Sequence, residues 1–171
     1  ELLLQAPLLT NGAALTVTGN LLVSGDRTID TSNSDAVAAG AVTVTGVIDG
    51  ANVNGMDYLT IDAAQGVVDG AGEAAVDLQG PVEGGTGVPT ISGAQDLERL
   101  TITGSTVDLA AVTTDGAGVG DGISVEASTG TNLNGASYQT TTSGAISFNG
   151  PVTLFAGATV ATAGGESATF S

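Results

Sequence analysis

A chain of 171 residues with 18 acids, two bases and no Cys or His carries a formal net charge of −16, a field that repels nucleic acid and anionic membrane surfaces. Hydrophobic residues make up 42%, so the chain is no solvated tail, but aromatics are only 3%, Trp is absent and Gly numbers 27. That composition excludes a wide core filled by rings and disfavours long helices, and no stretch is apolar for long enough to span a membrane.

The first 13 residues open on ELLLQAPLL, an apolar run interrupted by Pro7 and too short for a signal peptide or membrane span. This segment reads as an edge-pairing or linking strand, ahead of a repetitive domain over 14–171. Beginning at Glu rather than Met points to a processed or excised chain.

From residue 14 a short design recurs. ALTVTG (14–19), AVTVTG (41–46), YLTIDA (58–63), RLTITG (99–104) and AISFNG (145–150) superimpose without gaps. Weaker copies are AVDLQG (75–80), GISVEA (122–127) and SATFS (167–171). Apolar and polar residues alternate, the period of a strand with one buried face. Val17, Val44, Ile61, Leu78, Ile102, Val125, Phe148 and Phe170 then share one inward slot, at steps of 27, 17, 17, 24, 23, 23 and 22 residues. A second apolar strand often follows, as in LLV (21–23), VID (47–49), VDLAAV (107–112) and PVTLFA (151–156). Asn-Gly at 11, 54, 134 and 149, and Asp-Gly at 49, 69, 115 and 121, supply tight turns because these residues tolerate positive φ.

A period near 20 with two or three short strands per period predicts an all-β fold, a β-solenoid or parallel β-helix of about eight irregular coils. At the strand spacing of about 4.8 Å the rod is roughly 40 Å long. The rival, an immunoglobulin-type sandwich, calls for one non-repeating strand set and often a core Trp. The only two tyrosines end the same motif, N-x-N-G-x-x-Y, at 52–58 and 132–138. An offset of 80 residues reads as four coils, with the motif as a corner.

GAVTVTGVIDGA (40–51), LERLTITGSTVDLAAVTTDGA (97–117) and the run from Gly130 to Ser171 resemble the strand repeats of very large bacterial surface and secreted proteins, the filamentous-haemagglutinin-like adhesins. The resemblance covers the chain from about residue 14 onward and is most specific between Asn132 and Phe170. It implies a right-handed parallel β-helix outside the cell, serving as stalk, fibre or adhesive rod, and it carries no catalytic motif.

Chemistry is sparse. An enzyme acting on acidic polysaccharides needs carboxylates beside Lys or Arg, and only Arg27 and Arg99 are on offer. DRTIDTSNSD (26–35) reads as a solvated loop, and Arg99 as the partner of Asp96 or Glu98. No cofactor is required. Calcium is the one ion the sequence suggests: DGAGVGDGIS (115–124) resembles a glycine–aspartate turn, with Asp115 and Asp121 as ligand candidates, although Ala117 and Val119 break the pattern. Thr-x-Thr at 16–18, 43–45 and 101–103 hints at threonine ladders, interrupted at Asp62, Glu126 and Asn149.

A solenoid's ends are open sheet edges, ordinarily capped. Here Phe170 falls in an inward slot with no cap behind it, and Leu2, Leu3, Leu4, Leu8 and Leu9 make the other end apolar. These six are the candidate assembly residues. The expected function is therefore a non-enzymatic extracellular structural protein whose copies stack end to end into a bacterial surface fibre, in contact with a host or neighbouring cell surface. A stalk segment of a large adhesin is the alternative, and a polysaccharide-acting β-helix enzyme is the alternative of another class.

Overall fold

The computed structural model describes residues 1–52, 56–66, 72–83, 97–116, 120–155 and 157–171. The Asn-Gly turn at 54, the Asp-Gly turn at 69, Asp96, and Ala117 and Val119 lie outside them. Every strand pairing in the described residues is parallel, and none of those residues is helical. The first pass of the chain makes β1 (Leu2–Leu4), β2 (Leu8–Leu9) and β3 (Leu15–Val17). The second makes β4 (Leu21–Val23), β5 (Asp26–Asp30) and β6 (Val42–Val44), and the third β7 (Ile48–Gly50), β8 (Tyr58–Asp62) and β9 (Val76–Leu78). A single bridging residue, Val82, precedes the long β10 (Arg99–Leu109). Then come β11 (Val112–Thr114), the long β12 (Asp121–Leu133), β13 (Ser137–Thr140), β14 (Ala145–Asn149), β15 (Val152–Leu154), β16 (Thr159–Ala161) and β17 (Ala168–Phe170).

The pairings sort these strands into three rows. Row one runs β1, β4, β7, Val82, β11, β13, β16. Row two runs β2, β5, β8, the first part of β10, the first part of β12, β14, β17. Row three runs β3, β6, β9, the last part of β10, the last part of β12, β15. The chain visits rows one, two and three in that cyclic order throughout. Rows two and three merge into one curled sheet because β10 and β12 turn the corner as continuous strands, with a register shift between Gly104 and Thr106. Parallel strands in curled sheets, visited cyclically, are consistent with a β-solenoid.

Register corrects the single inward slot, and the described residues show seven rungs beside the expectation of about eight coils. Val17, Val44 and Leu78 belong to row three and continue into Leu109, Leu133 and Leu154. Ile61, Ile102, Val125, Phe148 and Phe170 belong to row two, preceded by Leu8 and Ile29. The steps of 17 residues cross from one row to another. Alternation tells that a strand has a buried face, not which row it joins. Among the described residues, rows one and two therefore have seven members and row three has six. Spacing along a row varies from 19 residues (Leu2 to Leu21) to 41 (Ile61 to Ile102), so no period near 20 holds throughout.

All three rows contribute to one core, as expected of small aliphatic residues stacked in file: Leu21, Ile48 and Val112 from row one meet Ile61 and Ile102 from row two, and Val44 and Leu109 from row three. Its largest buried side chains are Tyr138 and Phe148, in edge contact at 6.3 Å between ring centroids. At the corner from row three to row one, Gly19, Gly46 and Gly80 stack. A Cβ on Gly46 would lie 2.4 Å from the Gly19 carbonyl carbon, and one on Gly80 would lie 2.2 Å from the Gly46 oxygen. Only glycine lets the backbones approach at the strand spacing here.

Candidate functional site: the two end edges of the stack

Each row begins and ends on a strand with a neighbour on one side only. β1, β2 and β3 form the leading edge, and β15, β16 and β17 the trailing edge. Among the described residues the exposed large hydrophobics are Leu2, Leu3, Leu9, Leu154, Phe155, Phe170 and Met56. All but Met56 lie in or directly after an edge strand. For Leu2, Leu154 and Phe170, whose files are buried further along the stack, the cause is missing cover, whereas Leu3 and Leu9 stand on the outward alternation beside Leu22 and Asp30. Leu133 is 0% exposed and Leu154, its register partner in β15, is 54% exposed.

Charge follows the same division. The six edge strands read LLL, LL, LTV, VTL, TVA and ATF, without one acid or base. Acids within strands occur only in the interior, at Asp26, Asp30, Asp49, Asp62, Asp77, Asp108, Asp121 and Glu126. In a chain of net charge −16 the six edge strands are thus uncharged, with Glu1 and Glu166 close beside them, while the interior rungs carry acids within their strands. Self-repulsion on that scale opposes association between acidic faces.

The candidate assembly residues fall on these edges. Leu2, Leu3, Leu9 and Phe170 are exposed, Leu8 is half-buried against the core, and Leu4 is buried by its own chain beside Val23. Residues 1–13 are part of the stack, since β1 pairs with β4 and β2 with β5. Leu154 and Phe155 escaped sequence reading: PVTLFA is legible as a strand, but only the register shows that it is the last row-three strand among the described residues.

The calcium candidates have different surroundings. Asp115 accepts hydrogen bonds from the Thr141 hydroxyl (3.1 Å) and the Thr142 hydroxyl, while Asp121 is exposed at the start of β12. Among the described residues no three Asp or Glu side chains are grouped to hold a metal ion. Arg27 donates to the Asp26 carbonyl at 2.6 Å, and the Arg99 guanidinium lies 4.7 Å from the Tyr58 ring centroid, a cation–π contact between paired strands.

The outward file beside the row-two core is more regular than the Thr-x-Thr triplets suggest. Thr28, Thr60, Thr101, Ser124, Ser147 and Thr169 occupy consecutive rungs, an unbroken line of hydroxyls. The parallel file reads Asp30, Asp62, Thr103, Glu126 and Asn149, so the ordered hydroxyls stand in single file. Asp62 joins the two functions locally by accepting from Thr103 Oγ1 at 2.7 Å.

Buried carboxylates fasten the interior corners. DRTIDTSNSD is a strand followed by a tight turn rather than a solvated loop. The Asp30 carboxylate accepts from the amides of Ser32 (2.8 Å) and Ser34 (2.7 Å) and from the Ser32 hydroxyl (2.9 Å). Burial alone would raise its pKa, but the bonds from Ser34, Ser32 and Asn33 outweigh it and hold the carboxyl below the usual range. They also support left-handed φ of 57°, 56° and 65° at Asn33, Ser34 and Asp35.

The two N-x-N-G-x-x-Y corners are not equivalent, so the 80-residue offset is not four coils. Tyr58 opens a row-two strand, whereas Tyr138 lies in row one. At the second corner the buried Tyr138 hydroxyl donates to the Leu109 carbonyl (2.9 Å) and accepts from the Gly135 amide (2.7 Å), and burial raises its pKa. At the first, Asp57 does the fastening. Its carboxylate accepts from the amides of Gly25 (2.6 Å), Ala51 (2.8 Å) and Asn52 (2.7 Å).

Searches against protein-family models, curated proteins and solved structures return no match.

Proposed function

We propose that this chain is a structural β-solenoid, a right-handed parallel β-helix, whose copies stack end to end into an extracellular fibre at a bacterial surface. The observation that carries the reading is the partition just described: apolar, uncharged strands paired on one side only at both edges, and acids within the strands between them. Closure into a helix is supported by the cyclic visiting order and by the core shared among the rows. The hand follows from the strong preference of parallel crossover connections. The outer location rests on the resemblance to adhesin repeats. Calcium acts in this scheme by screening the acidic flanks.

Negative-stain electron microscopy of the 171-residue chain tests the reading. Thin, uniform filaments are expected at raised protein concentration, with an axial repeat of about 34 Å for seven rungs. Filaments only with calcium assign the acids a bridging role. Discrete short rods at every concentration, with and without calcium, overturn self-stacking. They favour the second reading, a stalk segment within a longer solenoid, which the same open edges support.

A further inference from the structure

Asn-Gly is a chemically weak link as well as a turn. The glycine amide nitrogen, once deprotonated, attacks the asparagine Cγ. The bond from Cγ to Nδ2 breaks, ammonia leaves and a succinimide ring closes. Water then opens the ring on one side or the other, giving Asp or the backbone-lengthened isoaspartate. Glycine in the second place has no side chain to hinder the attack, and Asn is among the residues that thermostable proteins shed. The reaction needs a free glycine N–H and a carboxamide free to swing onto it.

At the three Asn-Gly pairs among the described residues, both groups are tied. Gly12 donates its amide to the Thr31 carbonyl at 3.0 Å, and Asn11 Oδ1 accepts from Asn33 Nδ2 at 3.3 Å. Gly150 donates to the Ser171 carbonyl at 2.7 Å, and Asn149 Oδ1 accepts from the Ser171 hydroxyl at 3.5 Å. Gly135 donates to the Tyr138 hydroxyl at 2.7 Å, and Asn134 Nδ2 donates to Asp108 Oδ1 at 3.4 Å. The third pair differs from the others in one respect. Its glycine amide is held by a side-chain oxygen, not by a main-chain carbonyl.

We infer that Asn134 is a latent deamidation site and that the Tyr138 hydroxyl is its gate. The hydroxyl occupies the N–H that would otherwise supply the nucleophile. It is itself fixed, because it donates to the Leu109 carbonyl at 2.9 Å, the same carbonyl that accepts from the Asn134 amide. Burial raises the pKa of the phenol, so it stays protonated at the mildly alkaline pH that favours the attack. An ungated corner would not survive conversion intact. Asp or isoaspartate at 134 sets a second carboxylate against Asp108 in a chain of net charge −16. Isoaspartate also lengthens the backbone where there is no room: a Cβ on Gly135 would lie 2.2 Å from the Ala111 nitrogen. The gate operates within one chain and does not depend on copies stacking.

Tyr138→Phe removes the hydroxyl and keeps the ring against Phe148. Parent and variant are held folded at mildly alkaline pH, and the mass gain of Asn-to-Asp conversion is followed at each site by peptide mapping, a readout that isomerisation of Asp-Gly pairs does not move. In the folded parent all three sites are expected to convert at least about ten-fold more slowly than in denaturant, because reaction waits on local opening. In the variant Asn134 is expected to speed up about ten-fold, while Asn11 and Asn149 keep their parent rates. Those two are internal controls, since general loosening accelerates all three.

With the variant's circular dichroism matching the parent's, an unchanged rate at Asn134 or an equal acceleration at all three sites overturns the gate. Where the variant loses its dichroism, the parent decides. A folded parent whose Asn134 converts as fast as in denaturant, or whose Gly135 amide exchanges with deuterium as fast as in denaturant, overturns it. Slow conversion together with a protected Gly135 amide upholds it.

Discussion

Phe148 and Phe170 occupy one file of one row, on adjacent rungs, with their rings stacked at 5.5 Å. Phe148 is 0% exposed and Phe170 is 48% exposed. Sequence context does not separate them, since AISFN and SATFS carry the same alternation. The difference is only whether another rung follows. In a stack, burial is a property of position along the axis, so an identical strand is core in the middle and exposed at an edge.

Truncating both rings breaks the comparison most sharply. Phe148→Ala should cost about 3–5 kcal/mol in urea unfolding of the dilute chain, the range for a buried aromatic. Phe170→Ala should cost less than about 1.5 kcal/mol on the same measurement, because half of its surface is already in water. Its effect should appear instead in the concentration needed for filaments. Equal losses for the two would sink the claim that the trailing rung is an interface.

Interior corners should be equally unforgiving. Gly46→Ala places a methyl against the Gly19 backbone and is expected to destabilise by about 2–3 kcal/mol, whereas Gly120→Ala, with open space around it, should be near neutral. Asp57→Asn keeps the shape but cannot accept from three amides and an Asn52 side chain in the same way. A loss of about 2 kcal/mol in thermal or urea unfolding follows from leaving a buried donor unmatched.

The smallest effect is pH-dependent. The folded pKa of Asp30 is depressed, so its contribution is present above the unfolded value of about 3.9 and is lost as pH falls through the folded value. Unfolding midpoints of the parent chain should therefore drop below about pH 4, and Asp30→Asn should drop less steeply. An identical acid profile for the two chains would show that the Ser32–Ser34 turn does not draw its stability from that carboxylate.

The two matching corners show how far a motif can be read. N-x-N-G-x-x-Y announces a turn with an anchor after it. Whether the anchor is the Tyr or the residue before it depends on which row the strand enters. Asp57 is aimed at the amides of Gly25 and Ala51 by the passage from row one to row two, while Tyr138 reaches back to Leu109 from row one. Asp57 and Asp30 resemble surface acids in sequence, and nothing local marks them as buried.

What the sequence determined by itself is local: β-strands from the alternation of Val, Ile, Leu and Thr, bends at Asn-Gly 11 and 134 (although Asp49-Gly50 and Asp121-Gly122, read as turns, lie inside strands), a narrow core from the shortage of aromatics, and an apolar start beside a strongly acidic whole. These follow from covalent preference and side-chain period, which need no distant partner. The tertiary structure decided the rest. It assigned each described strand to one of three rows, seven, seven and six strands deep among the described residues, and it buried Phe148 while leaving Phe170 exposed. Those outcomes depend on pairing between residues 19 to 41 positions apart, where hydrogen-bond register and not local pattern selects the neighbour.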